Sequence, residues 1–262
     1  MTDNPRRPTQ NQPEQYLSVL RSQPLTATDL HIWCASLEGS LDERSHFLSM
    51  LSPTEKARAD RFYFERDRSR YIFGRGILRT LLGGYLGMEE HKINITYDQD
   101  GKPAVESSFR DKTLQFNLSH SNVWAVYIFG LDRLVGIDIE HIRPLQDADD
   151  FAERFYSPRE RELINSLSGD KKWDAFYKLW TCKEAFLKAK GTGLTVPINH
   201  AEISLSADGS ARLVFVAGHS KPAALWRIET FHPVLDYQAA IAVEGHNGKV
   251  LFRQLAEPAA KD

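Results

Sequence analysis

Two carboxylates, Asp138 and Glu140, stand two residues apart in the segment Val-Gly-Ile-Asp-Ile-Glu at positions 135–140. The segment alternates strictly, so Val135, Ile137 and Ile139 face one way and Gly136, Asp138 and Glu140 the other. Like charges held side by side on one strand face repel unless a cation lies between them. A hard cation suits such a pair, and Mg²⁺ commonly takes one or two carboxylates together with substrate phosphates. The neighbouring glycine permits close approach. An exposed acidic strand end accounts for these two residues equally well.

A second row of residues shifts the balance. In the helical stretch 171–191, Trp180, Glu184 and Lys188 fall at i, i+4 and i+8 and share one face. As a solvated pair, Glu184 and Lys188 would be worth only about 0.2–0.5 kcal/mol. The row, however, begins with an aromatic residue and borders the apolar stripe of Trp173, Phe176 and Leu187. It ends at Gly-Thr-Gly-Leu (191–194), where glycine allows a tight turn close to a ligand. Together Asp138, Glu140 and Glu184, with Lys188 beside them, favour binding a magnesium ion and a phosphate-linked group.

The elements that must position these residues fall into two comparable halves. In the first, a strand over 30–37 precedes a helix from Leu41 and a second helix capped by Ser52 with Glu55, with Pro53 at its first position. A longer helix runs from about Asp67 to Leu86 and stops at Gly87. Strands follow at Ile-Asn-Ile-Thr-Tyr-Asp (93–98), Leu-Gln-Phe-Asn-Leu-Ser-His (114–120), Trp-Ala-Val-Tyr-Ile-Phe-Gly (124–130) and Leu-Val-Gly-Ile-Asp-Ile-Glu (134–140). The second half repeats the order, with helices at about 148–156, 158–167 and 171–190 and then five strands up to residue 254. Helices and strands segregate, so the expected class is α+β: two similar lobes, a pseudo-dimer from internal duplication, each with helices packed on a small, mainly antiparallel sheet. The expected division is a flexible tail over 1–24, an N-terminal lobe over 25–134, a C-terminal lobe over 135–256 and a loose tail over 257–262.

Composition narrows the functional classes. With 262 residues, 42% hydrophobic and 26% charged, the chain can bury substantial cores. Its formal net charge of −2 gives no bulk attraction to nucleic acid or to anionic membranes. The N-terminus lacks the apolar run of a secretory signal, and no stretch approaches the roughly 20 apolar residues that span a bilayer. Cys34 and Cys182 lack metal or redox spacing and read as buried thiols in a reducing compartment. The expectation is a cytoplasmic soluble protein.

The ordered motifs carry a resemblance. Gly-Ile-Asp-Ile-Glu (136–140), Phe-Tyr-Ser-x-x-Glu (155–160) and Trp-x-x-Lys-Glu-Ala-x-x-Lys-x-x-Gly-x-Gly-Leu (180–194) follow Gly-Lys-Pro (101–103), Phe-Asn-Leu-Ser-His-Ser (116–121) and the Arg-Phe-Tyr helix from Arg61 to Arg79. This pattern, over residues 30 to 206, resembles the 4′-phosphopantetheinyl transferases of the surfactin-synthetase-activating type. The resemblance implies a two-lobed fold holding coenzyme A in the cleft between the halves. It implies transfer of 4′-phosphopantetheine to a serine of an apo acyl or peptidyl carrier protein, with release of 3′,5′-ADP. It assigns Asp138, Glu140 and Glu184 to Mg²⁺ and Lys188 to the pyrophosphate. Cleavage at a pyrophosphate needs charge neutralisation and positioning above all, which these groups supply.

The serine proton needs an acceptor. Glu184, directly or through a metal-bound water, is the first choice; Glu160 is the alternative, and it reads equally as a first-turn glutamate of the helix that Ser157 caps. The resemblance places Arg58, Arg70, Lys102, Pro103, Ser119 and His120 around the nucleotide. Arg58 stands where the family often carries lysine. Two rival readings draw on the same residues. A metal-dependent nuclease is disfavoured by the net charge, and a binding module without catalysis by the complete carboxylate set. By analogy within the family, the duplicated length implies a monomer.

Overall fold

The computed structural model describes residues 24–106, 108–109, 111–191, 197–216 and 223–255. The expected N-terminal tail up to residue 23, the C-terminal tail and residues 192–194 of the glycine turn lie outside them. By chain order the strands are β1 (Leu30–Ser36), β2 (Ile95–Tyr97), β3 (Pro103–Val105), β4 (Ser108–Phe109), β5 (Lys112–Ser121), β6 (Trp124–Leu131), β7 (Val135–His141), β8 (Ala201–Leu205), β9 (Ala211–Val216), β10 (Trp226–Phe231), β11 (Tyr237–Glu244) and β12 (Val250–Leu255). The helices are α1 (Leu41–Met50), α2 (Pro53–Ala59), α3 (Glu65–Leu86), α4 (Ala148–Phe155), α5 (Pro158–Ser166) and α6 (Gly169–Lys190). The class is α+β, and the order of two short helices, one long helix and then strands occurs twice. The short strands β3 and β4 were not expected from the sequence.

Contact density divides the chain into two compact units. One has its described part mainly in Ala35–Ile93; the other joins Leu25–Cys34 to Asn94–Arg253. In the smaller unit, Ser52 caps α2, and Glu55 at its third position returns the bond to the Ser52 N–H. Glu55 is buried against Arg75 and Arg79 of α3. Burial alone would push its carboxyl up, but the two guanidiniums and the Ser52 amide hold it below the ordinary value. α3 ends at Gly87, whose φ of +65° suits glycine.

In the larger unit, β5 and β6 belong to a five-stranded sheet of order β12-β1-β6-β5-β4, and β7 is the edge of a three-stranded sheet of order β10-β11-β7. Val135, Ile137 and Ile139 join Leu30, Ile32, Val126 and Ile128 in one core, as the alternation requires. On the other face of β7 and β11, Ala240 and Ala242 pack in a core with Ala185, Phe186 and Ala189 of α6. Gly136 makes that approach possible. A methyl group on it would lie 2.1 Å from the Ala185 carbonyl oxygen and 2.4 Å from the Ala189 nitrogen. Cys34 and Cys182 are buried free thiols, and burial pushes the Cys34 thiol up to about 12.

Candidate active site

The face of β7 that α6 covers carries Asp138 and Glu140, and α6 lays Trp180, Glu184 and Lys188 along it. All three α6 residues are half-buried, as is Glu140, while Asp138 is buried. The Lys188 ammonium donates to Asp138 Oδ1 at 2.6 Å and to Ser119 Oγ at 2.8 Å. Ser119 in turn donates to Asp138 Oδ1 at 2.8 Å.

β5 holds the acidic strand through every second side chain. The Asn117 amide oxygen accepts from Ile137 N–H at 3.1 Å. Ser121 Oγ donates to Glu140 Oε2 at 2.8 Å and accepts from His141 N–H at 3.2 Å. With Ser119 these residues form a polar ladder on one face of β5, aimed at β7. Sequence reasoning missed the role of Asn117 and gave Ser121 no role of its own. The available signal was the period-two polar run Asn-x-Ser-x-Ser within an otherwise apolar strand.

Glu184 and Glu140 are both raised, and Asp138 contributes to each rise. Glu184 is pushed up to about 7, first by burial and then by Asp138, with Lys188 opposing and Glu140 adding to the rise. Glu140 is also raised, by burial and then by Asp138; Ser121, Lys188 and Trp180 pull it back in part.

The remaining expected residues occupy other surroundings. His120 lies between Ser119 and Ser121, so strand alternation turns it to the opposite side of β5, where it is exposed. The Lys102 ammonium donates to the Ala189 carbonyl at 2.6 Å, near the C-terminal end of α6, and burial brings it down to about 8. Pro103 pairs with Tyr97 across the β2–β3 ladder. Glu160 is buried: its oxygens accept from Ser157 N–H and from Ile203 N–H, each at 2.7 Å, and Lys183 lies 2.7 Å away. In the smaller unit, Arg58 is exposed over the Tyr71 ring. It lines a cavity of about 650 Å³ with Thr54, Ala57, Arg61 and Phe62. Arg70 is paired with Glu38 at 3.7 Å.

Among the described residues, no three His, Cys, Asp or Glu side chains form a ready metal cage. A closed cage is not what Mg²⁺ needs when a phosphate substrate completes its shell. The donor set fits that role. Asp138 Oδ2 is buried without a hydrogen-bond partner, and Glu140 and Glu184 are raised partly by neighbouring carboxylates. A divalent cation would relieve both conditions.

Comparison with known proteins bears directly on this arrangement. Residues 134–242 match the 4′-phosphopantetheinyl transferase superfamily, and residues 37–129 match the family of 4′-phosphopantetheinyl transferase N-terminal regions. The 4′-phosphopantetheinyl transferase HetI of Nostoc sp. is 39% identical over 228 residues, which cover 87% of this chain and 93% of that protein. The chain belongs to the 4′-phosphopantetheinyl transferases. The phosphopantetheinyl transferase Sfp of Bacillus subtilis is 30% identical over 181 residues, 69% of this chain and 78% of that protein. Among solved structures, a holo-(acyl-carrier-protein) synthase from Bacillus anthracis in complex with CoA is 25% identical. It covers 43% of this chain and 96% of its own, with a TM-score of 0.37. As a phosphopantetheinyl transferase, the protein is an enzyme that moves phosphopantetheine from coenzyme A to carrier proteins. Among the described residues, no helix is long and apolar enough to cross a membrane.

Proposed function

We propose that the enzyme transfers 4′-phosphopantetheine from coenzyme A to a serine of an apo acyl or peptidyl carrier protein, in a Mg²⁺-dependent reaction that releases 3′,5′-ADP. The observation that carries this reading is the grouping of Asp138, Glu140, Glu184 and Lys188 on one face of α6 and β7, with the Glu184 carboxyl raised to about 7. Asp138, Glu140 and Glu184 are the residues that would hold Mg²⁺. When bound, the ion supplies charge neutralisation at the pyrophosphate.

The other roles belong to the side chains. Lys188 binds the pyrophosphate and offsets the charge that gathers on the leaving oxygen. The carrier serine oxygen forms a bond to the β-phosphorus of coenzyme A as the bond from that phosphorus to the bridging oxygen breaks. The electron pair leaves with 3′,5′-ADP. The serine proton passes to Glu184, which a bound cation would hold ionised and so able to accept it. Ser119 and Ser121 orient Asp138 and Glu140. Arg58, Arg70, Lys102, Pro103 and His120 are assigned to the nucleotide on the family pattern alone. The same proposal includes a nucleotide-side lobe over 25–134, a catalytic lobe over 135–256, a monomeric enzyme and a cytoplasmic setting.

The test follows 3′,5′-ADP by chromatography in mixtures of enzyme, coenzyme A and apo carrier. Release that needs both Mg²⁺ and the carrier supports the reading. Release that persists in chelator, or without a carrier, removes it.

A further inference from the structure

The sequence contains the same cap twice, Ser52-Pro53-Thr54-Glu55 and Ser157-Pro158-Arg159-Glu160. In both places the serine and the glutamate close a reciprocal capping box. Each glutamate is buried and ion-paired to the long helix of its own half. Glu55 takes Arg75 at 2.5 Å and Arg79 at 2.6 Å on α3. Glu160 takes Lys183 at 2.7 Å on α6. Both long helices have 22 residues and end on a glycine with φ near +65° to +70°.

The two copies differ in the residue after the locking cation. Arg79 is followed by Thr80, whose hydroxyl donates back to the Gly76 carbonyl at 3.0 Å. Lys183 is followed by Glu184, the half-buried carboxylate of the active site. The same lock is thus built where the adjoining position bears no carboxylate. Its glutamate also has little capacity left for a substrate proton. Glu160 accepts from Ser157 N–H and Ile203 N–H, and it faces a lysine whose side chain has no exposed surface. Lys183 also donates to the Phe155 carbonyl at 3.0 Å, so it ties α6 to the end of α4 as well as to the start of α5.

We propose that Glu160 and Lys183 are a positioning pair that fixes the roll of α6, and so the placement of Glu184 and Lys188, and that Glu160 is not the proton acceptor. The pair acts through α6: a roll that moves Lys183 off Glu160 carries Glu184 and Lys188 away from Asp138. This inference rests on the reading of Glu184 as the base.

The experiment compares Glu160→Gln, Lys183→Arg, the double variant Glu160→Gln/Lys183→Met and Glu184→Gln at saturating Mg²⁺ and coenzyme A, with thermal melts of each. Glu160→Gln keeps a capping side chain but leaves Lys183 without its counter-charge. Its Tm is expected to fall by roughly 10 °C. Its kcat in the folded fraction should fall about tenfold, because a small misplacement of reacting groups is costly. The pH–rate profile should keep its wild-type midpoint. Removing both charges in the double variant should recover most of kcat. Lys183→Arg, which copies the smaller unit's chemistry, should stay within about threefold of wild type and covers the case in which Glu160→Gln does not fold.

The proposal is overturned if folded Glu160→Gln loses at least about 100-fold in kcat along with the acidic limb of the profile, and the double variant does not recover it, since that is the behaviour of a lost base. It is equally overturned if Tm falls while kcat per folded molecule is unchanged, or if Lys183→Arg loses turnover. Near-normal turnover in Glu184→Gln would overturn the base assignment alone and leave the positioning result readable.

Discussion

Lys188 Nζ lies 2.6 Å from Asp138 Oδ1, on an acidic face shared with Glu140 and Glu184. A divalent cation taking the unpartnered Asp138 Oδ2 would share this carboxylate with the ammonium. Two cations compete for Asp138, and only one of them is needed there when a pyrophosphate arrives. Lys188→Met is expected to bind Mn²⁺ about tenfold more tightly than wild type in the absence of coenzyme A, and coenzyme A at least tenfold more weakly. Calorimetry of both titrations checks this. Weaker Mn²⁺ binding by the variant would mean that Lys188 assists the cation site instead of competing for it.

Asp138 carries the hydrogen bonds from both Ser119 and Lys188 and an unpartnered second oxygen. Asp138→Ala should lower kcat/KM by at least about 100-fold, the scale expected when a preorganised charge at the reacting centre is removed. The variant should still melt cooperatively. Near-normal turnover would take Asp138 out of the cation site.

The raised carboxyl of Glu184 makes stability depend on pH in a stated direction. In the unfolded chain the group titrates near its ordinary value of 4.5, and in the folded protein near 7. Between those values the folded state binds more protons, so stability in chelator falls as pH rises from about 4.5 to 7 and levels off above that. Glu184→Gln should therefore be less sensitive to pH in this window and more stable than wild type at pH 8. Added Mg²⁺ should narrow the gap by stabilising the ionised wild-type carboxylate. Melting curves at pH 5 and pH 8, with and without Mg²⁺, decide it, and a wild type more stable than Glu184→Gln in chelator at pH 8 would contradict it.

Gly136 is the contact that lets α6 lie on β7. Gly136→Ala puts a methyl against the backbone of Ala185 and Ala189, which cannot rotate away. The expected cost is at least about 1–3 kcal/mol of stability, together with reduced activity from displacement of Glu184 and Lys188. Denaturant unfolding measures the first effect, and unchanged stability would show that the helix can lift without penalty.

Much of this arrangement was legible in the chain. The alternation in 135–140 placed Asp138 and Glu140 on one face because a strand has a period of two. The i, i+4, i+8 spacing set Trp180, Glu184 and Lys188 in a row because a helix repeats near 3.6 residues. Ser52-Pro53 and Ser157-Pro158 marked helix starts through local capping chemistry. What could not be read was set by partners far away in sequence. The Asn117–Ser119–Ser121 ladder needs β5 to lie beside β7, and the Lys102 bond to Ala189 spans 87 positions. Glu160 read equally as a candidate base and as a first-turn glutamate, and its buried pairing with Lys183, 23 positions on, was not legible in the local sequence. Periodicity reports which face a residue occupies, and it says nothing about which distant group meets that face.

The most direct measurement is the intact mass of an apo carrier protein after incubation with the enzyme, coenzyme A and Mg²⁺, followed by fragmentation to locate any adduct. The account predicts a gain of one phosphopantetheine on a single serine, absent in chelator and absent with Glu184→Gln. An unmodified carrier across acyl and peptidyl types, or full modification by Glu184→Gln without Mg²⁺, would contradict it.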